Sequence, residues 1–176
     1  GNVTEWSPER QSHGDPPVAS PDGRRFVATL INGRGIDELW VSELGAPNLR
    51  KIESDPDADC FAPTWSPDGA RVAYTRNANN ERDGVYVQNV DGGAARRVFP
   101  KPEGRTVRAA GFLPDGTALL VRVVSADQTS FRLYRVPSSG LDTDLARLTP
   151  VIELTDVSTA RLAPDGRRIA LLNMTA

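Results

Sequence analysis

The sequence predicts an all-β fold, a β-propeller built from four-stranded antiparallel blades, on the evidence of two repeated features. The first is a Pro-Asp-Gly motif that occurs four times, with prolines 46, 47 and 50 residues apart. The second is a β-rich run whose aromatic residue lies 19, 19 and 20 residues after the first three prolines. Helical repeats would show a period of 3.6 residues, and the chance hairpins of a plain β-sandwich would not keep these offsets.

Each Pro-Asp-Gly motif predicts a tight turn between two strands. Proline presets φ at the first turn position, aspartate bonds back to nearby backbone amides, and glycine accepts the positive φ that follows. We therefore expect a structural role for the twelve residues of these motifs. They are Pro21, Asp22, Gly23, Pro67, Asp68, Gly69, Pro114, Asp115, Gly116, Pro164, Asp165 and Gly166.

The strand after each turn alternates about a buried face. Apolar residues stand five and seven positions after each proline, namely Phe26 and Ala28, Val72 and Tyr74, Leu119 and Val121, and Ile169 and Leu171. Residues on the opposite face, such as Val27 and Ala73, are apolar too. Because neighbouring sheets cover both faces of an internal blade, this pattern predicts internal sheets.

A further strand is predicted around the aromatic residue of each of the first three repeats, which is Trp40, Tyr86 or Tyr134. Since their offsets match to within one residue, we expect the three to occupy equivalent positions and to pack between sheets. A polar turn and a short β-rich run follow each of them, and another run precedes each Pro-Asp-Gly motif. Each period therefore holds four strands.

The repeats divide the chain into a segment of residues 1–15, which could supply a closing strand, and a propeller region of residues 16–176. The expected blades are 16–61, 62–107, 108–156 and an incomplete fourth, 157–176, which amounts to three and a half to four blades. So few blades do not close a ring easily, and an open sheet edge invites pairing. We expect a part of a larger propeller, or self-association through the open terminal blades.

These motifs resemble the TolB-like, WD-like family of β-propeller repeats over residues 16–173. The resemblance rests on Ser-Pro-Asp-Gly with a following strand, on Leu-Trp-Val or Val-Tyr-Val, and on an Asp-Gly-Gly turn. Leu113 and Ala163 replace the serine in the third and fourth copies. The resemblance implies a bacterial, extracytoplasmic module, periplasmic or at the cell surface, that binds proteins or peptides.

The same resemblance leaves two other roles open. Similar repeats form the propeller that guards the active site of prolyl oligopeptidase-like serine peptidases, whose catalytic domain would lie outside this chain. They also occur in extracytoplasmic sensor regions of lipoproteins and receptor kinases. A propeller fold alone does not choose among these roles.

Composition excludes several classes of function. The chain has 21 basic and 23 acidic residues, well interspersed, so no single-sign face predicts a nucleic-acid partner. No apolar stretch approaches a membrane span and no leader precedes the repeats, so we expect no direct membrane insertion. Cys60 is the only cysteine, which rules out an intrachain disulfide and a cysteine-based zinc site.

The sequence predicts no catalytic residues, no cofactor and no metal ligands. A serine hydrolase needs a nucleophile, a histidine base and an acid. The only histidine is His13, in a polar segment ahead of the repeats, and Gly-x-Ser-x-Gly is absent. Walker and Gly-x-Gly-x-x-Gly motifs are absent too. We therefore expect this chain to be no enzyme by itself.

The candidate binding residues are Asp55, Asp57, Asp59, Asn79 and Arg105. The three alternating aspartates resemble the opening of a calcium loop, but an EF-hand needs glycine at its sixth and glutamate at its twelfth position, where this chain has a cysteine and a serine. A looser calcium or cationic-peptide site and a solvated acidic loop remain as interpretations. Loops that vary in length on a rigid scaffold often bind ligands, and all five residues fall in such loops at one predicted rim.

Two arginine pairs are predicted to lie on exposed strand faces. They are Arg24-Arg25 and Arg96-Arg97, which stand beside strands.

Overall fold

The computed structural model describes residues 15–46, 48–52, 55–140, 148–155, 157–163 and 168–173, and within them the chain forms only β-strands. The strands are β1 (Val18–Ala19), β2 (Arg25–Ile31), β3 (Asp37–Glu43), β4 (Arg50–Lys51), β5 (Asp59–Trp65), β6 (Arg71–Asn77), β7 (Gly84–Asn89), β8 (Arg96–Pro100), β9 (Thr106–Phe112), β10 (Ala118–Val124), β11 (Ser130–Pro137), β12 (Ile152–Thr155), β13 (Val157–Leu162) and β14 (Ile169–Asn173). No helix suited to crossing a membrane is found in the described ranges.

The strands form three four-stranded antiparallel sheets and one antiparallel pair, each ordered as in the chain. The orders are β1-β2-β3-β4, β5-β6-β7-β8, β9-β10-β11-β12 and β13-β14. The first strands of successive sheets contact one another, β1 with β5, β5 with β9, and β9 with β13. First strands that meet in this way are the innermost strands of propeller blades, and the predicted all-β propeller is confirmed.

The strand bounds refine the expected blade divisions. The division after residue 61 falls inside β5, and the division after residue 107 falls inside β9. Both first strands contain an irregularity, between Phe61 and Thr64 in β5 and opposite Leu120 and Val121 in β9. Because such a bulge shifts the alternation of side chains, it hides the true start of the strand from a pattern with period two.

The cores lie between sheets. One cluster joins residues of the first and second sheets, among them Val27, Leu39 and Val72, which are fully buried. Another joins the second and third sheets through Phe99 and Leu119. Burying each such side chain stabilises the fold by about 1.5–3 kcal/mol. Because a neighbouring sheet covers each face, the residues on both faces of the internal strands are apolar.

The aromatic residues of the third strands occupy equivalent registers, as predicted, since each pairs with the residue seven positions after the proline. Tyr134 is buried and contacts Phe99 of the preceding sheet, with ring centroids 5.8 Å apart. The expectation of burial is wrong for Trp40, which is half-buried and donates from Nε1 to Glu38 Oε2 over 3.1 Å. Tyr86 is also half-buried. The Tyr86 hydroxyl donates to the Arg82 carbonyl, in the loop before β7, and both rings stay partly solvated.

The first two Pro-Asp-Gly turns share one set of hydrogen bonds. In each, the glycine holds positive φ, 68° at Gly23 and 69° at Gly69, as L-residues rarely do. The serine before the proline accepts a hydrogen bond from a backbone N–H five residues later, over 2.9 Å at both Ser20 and Ser66. That serine also bonds the turn aspartate. Side chains and backbone thus hold the reversal together.

The third turn keeps its form without the serine. Gly116 has a φ of 68°, its N–H donates to the Leu113 carbonyl over 2.9 Å, and Thr117 N donates to Asp115 over 3.0 Å. The fourth motif, 164–166, lies outside the described residues, as does the possible closing strand over residues 1–14.

Arg25 does not lie on an exposed face, contrary to expectation. Its Nη2 donates to the carbonyl oxygen of Gly69, in the turn of the next sheet, over 2.7 Å. Arg71 repeats this contact one sheet further along, to the carbonyl of Gly116 over 3.0 Å. Both arginines stand four residues after the proline of their own copy. The hydrogen bond between neighbouring sheets therefore recurs at one position of the repeat.

Candidate functional site

The loops between strands fall at two rims. The Pro-Asp-Gly turns occupy one rim, which we call the turn rim. The opposite rim carries five loops that we call the loop-rich rim, at residues 32–36, 55–58, 78–83, 101–105 and 125–129. Because antiparallel strands alternate direction, the turns ahead of the second strands and the loops after them must lie at opposite ends.

The loop-rich rim is cross-linked by a buried ion-pair network around Arg76. Asp55 accepts a hydrogen bond from Arg76, and this bond holds the pKa of the Asp55 carboxyl below its usual value. Arg76 Nη1 also lies 3.9 Å from Asp83, whose other carboxylate oxygen lies 3.3 Å from the Lys101 ammonium. The Arg76 and Asp83 side chains are about 95% buried. The Arg76 guanidinium therefore joins two loops, and the Asp83 carboxylate joins the third through Lys101.

Asp57 belongs to a second link of the same rim. Its carboxylate lies 2.9 Å from Arg34 of the 32–36 loop, and both side chains are exposed. An exposed pair of this kind contributes little to stability, since solvent screens it. It does tie the first hairpin loop to the loop that precedes the second sheet.

Asp59 points to a different place from Asp55 and Asp57. It accepts a hydrogen bond from Asp37 N over 3.0 Å and lines a cavity with a volume of about 250 Å³. The three alternating aspartates therefore do not converge on one site. Across the described ranges, no group of three or more His, Cys, Asp or Glu side chains is placed to hold a metal ion.

We call the cavity beside Asp59 the acidic pocket. Its lining residues are Asp15, Thr29, Asp37, Asp59, Phe61 and Arg108. Three of these are carboxylates and one is a cation, so the formal charge of the lining is negative. The pocket opens at the loop-rich rim, where the first strands of neighbouring sheets meet.

Three lining residues are equivalents of one another in the repeat. Asp15, Phe61 and Arg108 each stand six positions before the proline of their own copy. The Arg108 guanidinium lies 5.0 Å from the centroid of the Phe61 ring and 3.9 Å from Asp15. Phe61 and Arg108 lie on the innermost strands β5 and β9, and Asp15 lies just before β1, so the pocket lies beside the innermost strands.

Thr29 has a buried hydroxyl that forms no hydrogen bond with any residue that the structure describes. The equivalent hydroxyl in the second sheet, Thr75 Oγ1, accepts from Ala109 N over 3.2 Å. In the first sheet, the corresponding N–H belongs to Ala62 and donates instead to Asp15 Oδ2 over 2.8 Å. The Ala62 N–H, which by analogy with Ala109 would bond Thr29, therefore bonds Asp15 instead. Ala62 holds a positive φ of 52° in this arrangement.

Asn79 and Arg105, the other two predicted binding residues, lie on the loop-rich rim but do not line the acidic pocket. Asn79 is exposed and holds a positive φ of 57°. Arg105 is half-buried, and its backbone N–H donates to the Pro102 carbonyl over 3.2 Å. The pKa of Glu153 is lowered by the Arg132 hydrogen bond and, to a smaller extent, by the charge of Arg105.

Sequence reasoning missed Asp15, Thr29, Asp37, Phe61 and Arg108. The offset of six residues before each proline would have located three of them, but their chemistry differs from copy to copy. His13, the only histidine, lies outside the described residues.

A second cavity, with a volume of about 530 Å³, opens at the turn rim. It is lined at matched positions by all four copies, through Val18, Ala19, Pro21, Thr64, Trp65, Pro67, Ala110, Gly111, Phe112, Pro114, Leu162 and Ala163. Its lining contains no charged side chain. The two ends of the inner strands thus differ sharply in polarity.

Comparison with known proteins identifies relatives with propeller repeats, although no family model matches the chain. The Tol-Pal system protein TolB of Anaeromyxobacter dehalogenans is 39% identical over 86 residues, which are 49% of this chain and 19% of that protein. The putative tricorn protease homolog 2 of Streptomyces coelicolor is 31% identical over 162 residues, 89% of this chain and 13% of that protein. The chain thus spans less than a fifth of each relative.

Solved structures agree on the fold. An oligogalacturonate lyase from Vibrio parahaemolyticus superposes with a TM-score of 0.70 at 18% identity, over 97% of this chain and 49% of that chain. TolB from Acinetobacter baumannii superposes with a TM-score of 0.65 at 21% identity, over 89% and 37%. The repeated turns, the meandering four-stranded sheets and these relatives show that the chain is a β-propeller whose repeats are similar to those of TolB.

Proposed function

We propose that this chain is a non-catalytic interaction module that presents its loop-rich rim to a protein or peptide. The observation that carries the proposal is the cross-linking of the rim around Arg76. This guanidinium joins Asp55, on the loop before the second sheet, to Asp83, on the central hairpin loop. Lys101 joins the loop before the third sheet to Asp83 as well.

A rim held in this way is suited to binding because its loops are ordered before a partner arrives. Ordering loops on association costs affinity, and preorganised loops avoid that cost. The same loops carry exposed polar side chains, among them Arg34, Asp57 and Asn79, which can contact a partner. Functional loops on a rigid sheet scaffold are the common arrangement in binding proteins.

We place this module in a bacterium, outside the cytoplasm, in the periplasm or at the cell surface. The similarity to Tol-Pal system proteins supports this proposal. Protein or peptide partners are also more plausible than nucleic acid on the charge balance, since the 21 basic residues are matched by 23 acidic ones.

Selection of peptides from a phage-displayed library against the chain tests the proposal. We expect the selected peptides to shift the backbone amide NMR signals of loops 55–58 and 78–83. The double variant Arg34→Glu, Asp57→Arg keeps the pair but reverses its charges, and should lose most of these peptides. The matched change at the turn rim, Arg24→Glu, should retain them. Peptides that map to the turn rim instead would refute the proposed binding face.

A second candidate is a propeller that gates substrate access to a peptidase domain elsewhere in the protein. It is favoured by the Streptomyces relative, a putative tricorn protease homolog that matches 89% of this chain, and by an uncharacterized peptidase of Bacillus subtilis at 34% identity over 116 residues. The full-length gene discriminates: a hydrolase region with Gly-x-Ser-x-Gly supports gating. None of the named comparisons supports the sensor-region alternative.

A further inference from the structure

We propose that the acidic pocket binds one organic cation, an alkylammonium or guanidinium group such as a lysine or arginine side chain carries. The inference rests on the proposed function only for the source of that cation, which would be a peptide partner at the same rim. The binding site itself is argued from the pocket.

The first argument is the set of hydrogen-bond acceptors. Asp15, Asp37 and Asp59 supply carboxylate oxygens, and Thr29 supplies a hydroxyl oxygen. Ammonium and guanidinium groups carry several N–H donors and no acceptor, so they match such a lining. Hydrogen bonds between a charged donor and a carboxylate are about twice as strong as neutral ones.

The second argument is the hydroxyl of Thr29, a residue that is 98% buried. Within the described ranges of the chain, this hydroxyl has no hydrogen-bond partner. Buried polar groups nearly always have a partner, and an exception indicates an absent ligand or water. The repeat shows that this exception is specific to the first sheet. The Thr75 hydroxyl accepts a hydrogen bond from Ala109 N–H. The equivalent donor near Thr29 is Ala62 N–H, which bonds Asp15.

The third argument is the charge of the pocket. Three carboxylates with one guanidinium leave a formal charge of −2 on the lining. A divalent metal ion would balance that charge, but the described residues offer it no convergent set of ligands. An ammonium or guanidinium group needs no fixed coordination geometry, and its several N–H donors can reach separated acceptors.

Arg108 is the internal competitor for this site. Its guanidinium is 3.9 Å from Asp15, at the outer limit of an ion pair, and its side chain is 46% exposed. Its guanidinium also lies over the Phe61 ring, 5.0 Å from the ring centroid. An incoming cation would meet repulsion from Arg108, so removing that charge should strengthen binding.

NMR titration with blocked amino acids tests the inference. The probes are N-acetyl-arginine N-methylamide and N-acetyl-lysine N-methylamide, with the norleucine analogue as the uncharged control. We expect both charged probes, and not the control, to shift the amide signals of Thr29 and Ala62. Raising the salt concentration should weaken this binding, since the charges of an open pocket are screened.

Variants assign the binding to the proposed groups. Thr29→Val removes the unpartnered hydroxyl with little change of shape, and should weaken probe binding about tenfold while raising the thermal stability of the chain. Asp59→Asn should weaken binding by a similar factor. Arg108→Gln should strengthen it, by about two- to tenfold. Asp91→Asn, which removes an exposed carboxylate between β7 and β8 and outside the pocket, is the matched control and should leave the affinity unchanged.

Three outcomes would overturn the inference. One is equal binding by wild type and Thr29→Val, and another is equal binding by the charged and uncharged probes. A third is that calcium ions shift Thr29 and Ala62 while the charged probes do not, which would make the pocket a metal site. The test is independent of the proposed function: rim-binding peptides without probe binding refute only the cation site, and the reverse result refutes only the partner rim.

Discussion

The guanidinium carbon of Arg25 lies 5.3 Å from the centroid of the Trp65 ring, which belongs to the neighbouring sheet. The same guanidinium donates to the carbonyl oxygen of Gly69. Arg71 stands in the same relation to Phe112 at 5.5 Å. Each arginine thus binds the turn and covers the aromatic ring of the following sheet. This recurring arginine contact adds a polar link between neighbouring blades whose shared cores are apolar.

Arg25→Ala should lower the free energy of unfolding by about 1–2 kcal/mol, because it removes a cation–π contact and a charge-assisted hydrogen bond to a backbone oxygen. Arg25→Lys should recover only part of the loss, since lysine lacks the planar fork. Urea denaturation measures both. Arg24→Ala, at the exposed neighbouring position, is the control and should change stability little. Equal losses of unfolding free energy in Arg25→Ala and Arg24→Ala would contradict a stabilising role of the Arg25 contacts.

Gly84→Ala should destabilise the fold strongly, by about 3 kcal/mol or more. A Cβ atom at Gly84 would lie 2.2 Å from the carbonyl oxygen of Phe99, on the adjacent strand, and the backbone φ of 155° is unfavourable as well. The strands β7 and β8 would have to separate. Gly33→Ala has open space around its Cβ and should be nearly neutral in the same thermal melts. A neutral Gly84→Ala would contradict this close approach.

Gln128→Gly should stabilise the chain by about 1 kcal/mol, since Gln128 holds a positive φ of 59° that costs an L-residue this order of energy. The turn from Ser125 to Ser130 repeats the hydrogen bonds of the Ser-Pro-Asp-Gly turns, with Gln128 in the place of glycine. Gly69→Ala is the reciprocal change and should destabilise by a similar amount. Calorimetry of the two variants checks both signs.

The pKa of Asp127 is lowered to about 2 by hydrogen bonds from the Ser125 hydroxyl and from the N–H and hydroxyl of Thr129. A carboxyl with a depressed folded-state pKa contributes stability above its unfolded pKa, near 3.8, and loses it as the pH falls toward 2. The stability difference between wild type and Asp127→Asn should therefore be constant above pH 5 and shrink across this window.

Urea titrations at several pH values measure that difference. Glu103→Gln, which removes an exposed carboxylate from the 101–105 loop, controls for general charge effects. A difference that stayed constant down to pH 2 would mean that the Asp127 hydrogen bonds do not favour its charged form.

The strand order and the turns could be predicted because they depend on local chemistry. Proline, aspartate and glycine at fixed positions determine a turn, as the φ values of Gly23 and Gly69 confirm. The equivalence of Trp40, Tyr86 and Tyr134 followed from offsets alone. Their burial did not, because it depends on which loop or sheet covers the ring in each blade.

The acidic pocket could not be predicted because its residues are far apart in the chain and differ between copies. Asp59 was singled out with Asp55 and Asp57 as one acidic loop, yet Arg76 and Arg34 bind the other two aspartates. The orphaned hydroxyl of Thr29 depends on a hydrogen bond that Asp15 forms with another sheet. The alternation of apolar and polar residues along a strand does not reveal which hydroxyl or carboxylate accepts a given backbone N–H.

The arginine contact of Arg25 and Arg71 has no counterpart in the third copy, where Ala118 stands four residues after the proline. Alanine cannot reach across to a neighbouring turn. Amide hydrogens should therefore exchange with solvent fastest where the third sheet faces the fourth, and slowest at the two junctions that have the arginine contact. Opening of the propeller would then begin at the junction that lacks this arginine contact.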